Sequence, residues 1–141
     1  MKTSSSVNSN GVKYVAYCFS EIKGYSKFGS YTGNSSTDGP FLYMGFKPAF
    51  LMVKRTNTTE NWYMKDNVRD PFNEMNQSVL YANGSAGDTT DGSWLIGDAC
   101  ANGFKIRKND TSSNGSGSRY IYFAFAESPL VNSSGVPTNA R

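Results

Sequence analysis

A chain of 141 residues fits one domain and is long enough to bury a sizeable core. Charged residues are only 18% and histidine is absent, which excludes serine–histidine and cysteine–histidine catalysis and histidine-ligated metal centres. The net charge of +3 is carried by scattered residues such as Lys23, Lys27, Lys47, Lys65 and Lys105, not by a basic stripe, so no nucleic-acid partner is expected.

Residues 1–10 read as a flexible polar head, and 11–141 as a single domain. Met1-Lys2 runs directly into Thr3-Ser4-Ser5-Ser6 with no apolar signal region, so the chain is expected to be made in the cytoplasm without a signal peptide. Short apolar runs then follow at 14–19, 41–46, 49–53, 62–64, 79–81, 94–96, 104–106 and 120–126. β-branched and aromatic residues dominate them, and Gly, Asn, Asp or Pro bound nearly every one, which is the signature of strands. The run 50–53 is continuously apolar and predicts a strand covered on both faces. In 104–107, Phe104 and Ile106 share one face while Lys105 and Arg107 share the other. Little or no helix is expected; 68–77, around Pro71, is the best place for a helical turn. Polar, glycine-rich loops at 33–39, 84–92 and 109–118 are expected to cluster, at least two together, at one end of the fold. The prediction is an all-β, single antiparallel β-sandwich of jelly-roll type with about eight strands.

An internal correspondence joins the two ends of the chain. Gly11-Val12-Lys13-Tyr14-Val15-Ala16-Tyr17-Cys18-Phe19-Ser20-Glu21 aligns at a constant offset with Gly117-Ser118-Arg119-Tyr120-Ile121-Tyr122-Phe123-Ala124-Phe125-Ala126-Glu127: Gly, Tyr, Phe and Glu recur identically, and Lys/Arg, Val/Ile, Tyr/Phe and Ser/Ala recur in kind. Read as the trace of a tandem unit, with convergence of two aromatic-rich strands as the alternative, this predicts that 13–21 and 119–127 are strands of one sheet, pairing as neighbours. Both are apolar on both faces, and with nine Tyr and nine Phe the outward half needs cover. Copies of the same chain, in a homo-oligomer or array, are the expected cover, with loops of the same chain as the alternative.

No chemistry beyond binding emerges. There is no glycine-rich phosphate cradle, the eleven acids are dispersed, and Glu21 and Glu127 read as strand-end charges, or as partners for Lys13 and Arg119, and not as an acid–base pair. No catalytic residue, cofactor or metal is expected. The weak metal candidates are Asp88, Asp91 and Asp98 in a glycine-rich stretch, with solvated turn residues as the alternative. Trp62, Tyr63 and Trp94 are candidate glycan contacts through their flat faces, with core packing as the alternative. Cys18, inside an apolar run, reads as a small buried hydrophobe, and a bridge to Cys100 stays open. No stretch approaches the roughly eighteen apolar residues of a membrane span, so no insertion is expected.

The run Tyr14-Val15-Ala16-Tyr17-Cys18-Phe19-Ser20-Glu21, with Gly24-Tyr25-Ser26-Lys27-Phe28-Gly29-Ser30-Tyr31, resembles a recurrent domain of marine and cyanobacterial phage tail-fibre-like structural proteins. So do Asp38-Gly39-Pro40-Phe41, Gly45-Phe46-Lys47-Pro48-Ala49-Phe50, Val53-Lys54-Arg55-Thr56, Asn102-Gly103-Phe104-Lys105-Ile106-Arg107 and the closing segment 120–141. That resemblance implies a non-catalytic virion module, found beside concanavalin A-like lectin domains and located on the virion surface or tail. It also implies other virion proteins, and a host cell-surface glycan, as partners. The family pattern has an aliphatic residue at Cys100, which speaks against a disulfide. A free-standing carbohydrate-binding module is the alternative function, and a glycoside hydrolase the third.

Overall fold

The computed structural model describes residues 7–75, 78–88, 95, 97–128, 132 and 134. The described residues are all-β, with no helix, and form nine strands. These are β1 (Ser26–Thr32), β2 (Phe41–Tyr43), β3 (Pro48–Arg55), β4 (Trp62–Asp66), β5 (Glu74–Met75), β6 (Leu80–Tyr81), β7 (Gly97–Cys100), β8 (Gly103–Ile106) and β9 (Arg119–Ala126). They build two antiparallel sheets, ordered β1-β9-β3-β4-β6 and β2-β8-β7-β5. The helical turn expected around Pro71 is instead a turn at 67–69 leading into β5, where Glu74 and Met75 pair with Asp98 and Gly97.

The core lies between the sheets and follows from strand alternation. Leu51, Val53, Tyr63, Tyr120, Tyr122 and Ala124 of the larger sheet meet Leu42, Met75, Ala99, Phe104 and Ile106 of the smaller. Phe104 and Ile106 are buried, while Lys105 and Arg107 take the opposite face. The strand at 50–53 is sealed on one face only: Leu51 and Val53 are buried, Phe50 and Met52 half-buried.

The expected partnership of 13–21 with 119–127 does not form. Residues 12–20 belong to no strand and are exposed throughout, and β9 is flanked by β1 and β3. The reason lies in β1. Tyr122 faces Gly29, where a Cβ would lie 2.7 Å from the Tyr122 ring, so the place beside it suits a residue without a side chain. The segment 13–21 contains no glycine and cannot supply that gap. Cys18, expected to be buried, is exposed with the rest of the segment, and both Cys18 and Cys100 are free thiols.

Candidate functional site

Three of the four longest strands lie side by side in the larger sheet, with β4 beyond them, and each turns alternate side chains away from the core. The register aligns those outward residues in rows. Phe28, Phe123, Met52 and Met64 run across β1, β9, β3 and β4, and Phe125 lies beside Phe50. Phe28 meets Phe123 edge-on at 5.5 Å between ring centroids, and Trp62 lies 6.1 Å from Phe123. Phe19, reaching in from the exposed leading segment, stacks on Phe28 at 6.2 Å and meets Phe125 at 5.8 Å. The strand residues here are half-buried, and Phe19 remains 63% exposed. The result is an apolar, largely aromatic face on the side of the larger sheet away from the core.

The sequence-predicted glycan contacts divide. Trp62 sits half-buried on this outer face, its backbone N–H donating to Asn83 Oδ1 at 2.8 Å. Tyr63, one residue on, points the opposite way into the core, where its hydroxyl donates to Glu60 Oε1 at 2.7 Å and its ring meets Tyr81 edge-on. Strand alternation therefore removes Tyr63 from any glycan surface shared with Trp62. Trp94 lies outside the described residues, as does Asp91. Of the other metal candidates, Asp88 pairs with Arg69 at 3.1 Å and Asp98 with Arg107 at 2.6 Å, so each already faces its own cation. Among the described residues no group of three or more His, Cys, Asp or Glu is placed to hold a metal ion. Glu21 and Glu127 face Lys27 and Lys47, at 2.6 and 3.1 Å, and not the expected Lys13 and Arg119.

The loops at 33–39 and 109–118 do meet, and they lock together. Asn114, fully buried, donates from Nδ2 to Asn34 Oδ1, Ser36 O and Lys108 O, while its own Oδ1 accepts the Asn34 N–H at 2.9 Å. Asp110 caps the turn by accepting from the N–H groups of Ser112 and Ser113 and from Ser113 Oγ. A small cleft of about 220 Å³ opens between the turn at 22–25 and Tyr43–Gly45, lined by Glu21, Lys23, Lys27, Tyr43 and Met44. It is below the few hundred cubic ångströms, about 300 or more, that bury a drug-sized ligand.

Two features escaped sequence reasoning. Phe28 lies in β1, whose Ser-Lys-Phe-Gly-Ser-Tyr-Thr sequence holds strand formers but no contiguous apolar run, being broken by Lys, Gly and Ser. Lys65, counted among the scattered surface charges, is buried in the core beside Asp70, with Nζ 3.4 Å from Oδ2. Burial lowers the Lys65 ammonium below its ordinary value against the pull of Asp70, which also accepts the Ser78 N–H at 3.0 Å. The period-two pattern of β4 held that signal: with Tyr63 facing inward, Lys65 must face inward too.

No curated protein and no solved structure matches the chain. A family model does match, over residues 1–129. The chain belongs to the family described as a domain of unknown function, DUF7483.

Proposed function

We propose that this chain is a non-catalytic structural module of a bacteriophage virion, a tail-fibre or surface component that packs against copies of itself and takes part in attachment to the host surface. The observation that carries the self-association is the outer aromatic face formed by Phe28, Phe50, Met52, Met64, Phe123 and Phe125. A surface of that kind on an isolated domain calls for a partner. The virion reading rests on the motif resemblance, with other virion proteins and a host glycan as further partners. A jelly-roll arrangement is supported by nested pairing: β1, the first strand, pairs with β9, the last, and β2 pairs with β8.

Size-exclusion chromatography with light scattering tests the self-association, and the expected result is a stable multimer. The second reading, a free-standing carbohydrate-binding module, is favoured by the half-exposed Trp62. A monomer that binds glycans, and loses that binding in Trp62→Ala, would replace the first reading with the second.

A further inference from the structure

The leading segment 12–20 carries a continuous apolar run at 14–19 yet is exposed, with Val15 80% and Tyr17 83% accessible. Among the described residues, β1 ends the larger sheet, and beyond the Ile22–Ser26 bridge its outer edge has no strand partner. The Gly33 N–H donates to Ser118 O and the Ala126 N–H to Tyr25 O, so the odd-numbered residues of β1 turn their backbone groups towards β9. By alternation, Phe28, Ser30 and Thr32 direct theirs to the open edge. Such an edge is a template for one more strand.

We propose that this edge is filled by residues 13–17 of a second copy of the chain, added antiparallel to β1. The inference rests on the self-association reading and names its mode. The segment repeats β9, and the β1–β9 ladder shows which register β1 accepts from that pattern: Phe28 opposite Phe123, Ser30 opposite Ile121 and Thr32 opposite Arg119. Carried to the open edge through the repeat, it places Tyr17 opposite Phe28, Val15 opposite Ser30 and Lys13 opposite Thr32. Tyr17 and Val15 then extend the outer apolar row, and Tyr14 meets Tyr31 as Tyr120 does on the other side. Backbone hydrogen bonds supply the attachment, and alternate side chains supply the selectivity.

The copy's own segment cannot take this place in that register. Ile22 and Ser26 exchange backbone hydrogen bonds, N to O at 3.2 and 2.9 Å, which fixes any hairpin with Cys18 opposite Ser30 and Ala16 opposite Thr32. The chain leaves that path at Phe19, whose ring is held over the outer face by Phe28 and Phe125. Residues 13–17 are thereby left to a neighbour. The contact is head-to-tail and closes into a ring, a reciprocal dimer or an open array.

The test is register-specific cross-linking. In one variant, Val15→Cys and Ser30→Cys are combined with Cys18→Ser and Cys100→Ser, so positions 15 and 30 carry the only thiols and peptide maps separate a 15–30 link from 15–15 or 30–30. In a second, Ser30→Cys is combined with Cys100→Ser, and native Cys18 reports the hairpin within one chain. The expected result is reducible dimers and larger species from the first variant, joined through positions 15 and 30 in peptide maps, with no intrachain bridge from the second. An intrachain disulfide in either variant overturns the proposal. Absence of the interchain link between positions 15 and 30, in a chain that light scattering still shows as a multimer, overturns strand addition and leaves the aromatic-face reading standing. A chain monomeric throughout overturns both.

Discussion

Tyr31 and Tyr120 stack face to face across the β1–β9 ladder, ring centroids 4.8 Å apart and planes 12° from parallel. Each hydroxyl ends in the locked loop beyond the strands: Tyr31 donates to Ser113 O at 2.6 Å and Tyr120 to Thr111 O at 2.7 Å. Tyr120 also accepts the Gly115 N–H at 2.8 Å. The pair thus fixes one end of the fold through two rings and three polar contacts.

The first prediction concerns that end. Tyr120→Phe keeps the stack but strips the buried Gly115 N–H of its acceptor, and a buried unpaired amide costs about 1–3 kcal/mol. Urea unfolding of the variant against the parent should show a loss in that range. A change indistinguishable from zero would mean that the hydroxyl holds nothing the loop cannot hold alone.

The second prediction is an alkaline limit to stability. Burial raises the phenols of Tyr31, Tyr63 and Tyr122 above their ordinary value. A tyrosine in the unfolded chain ionises near pH 10 or about that value, so the stability these groups lend is complete below it and is lost as pH rises through the folded values. Lys65 acts oppositely. Its folded value is lowered, so its penalty applies at neutral pH and fades as pH climbs to about 10.4, where the unfolded lysine also discharges. Melting temperature should therefore hold or rise towards pH 10, then fall beyond it, as about three tyrosines outlast one lysine. A melting temperature still climbing well above that point would contradict the assignment.

A third prediction separates pairing from burial. Asp70→Asn keeps an acceptor for the Ser78 N–H but leaves the buried Lys65 ammonium without its counter-charge. The expected cost is about 3–5 kcal/mol, since breaking a buried pair strands the remaining ion. Lys65→Met combined with Asp70→Asn should recover most of it. Chemical unfolding of the two singles and the double measures the coupling, and additive losses would show that the two side chains do not depend on each other.

The fourth prediction addresses the outer face. Ile121 lies between Ser30 on β1 and Lys54 on β3. Ile121→Glu places a carboxylate opposite Lys54, a cross-strand pair that supports the isolated domain, while charging the proposed contact surface. Light scattering should show the multimer lost and calorimetry a melting temperature little changed. A charged variant that still assembles would put the contact on another face.

Much of the fold was legible from alternation and its punctuation. The strands at 41–43, 62–66, 103–106 and 119–126 fall on apolar runs bounded by turn residues. What the pattern cannot give is which of two similar segments wins a place in a sheet. Residues 14–19 look more strand-like than 26–32, yet the latter take the position beside β9, because Gly29 admits Tyr122 and Tyr31 stacks on Tyr120. That decision depends on residues more than ninety positions away, Tyr122 against Gly29, and no local window contains both. The candidate glycan site fared similarly: Trp62 and Tyr63 adjoin in sequence, and the pleat sends them to opposite sides. Lys65 was open to the same period-two reasoning, but a charged residue is so rarely enclosed that composition outweighed phase.

The pairing of first strand with last carries a consequence for how the domain is made. Ser26 contacts Phe125, and β9 stands between β1 and β3 as the shared wall of the larger sheet. During synthesis, β1 and β3 have no common neighbour until residue 126 has left the ribosome. The loop that must close to set β9 against β1, residues 33–118, is most of the chain, an entropic toll that local pairs cannot defray. Acquisition of structure is accordingly late, cooperative and slow, as expected where non-local contacts dominate. A nascent chain halted before Arg119 should remain open to protease along its length, and release of the next eight residues should close it at once.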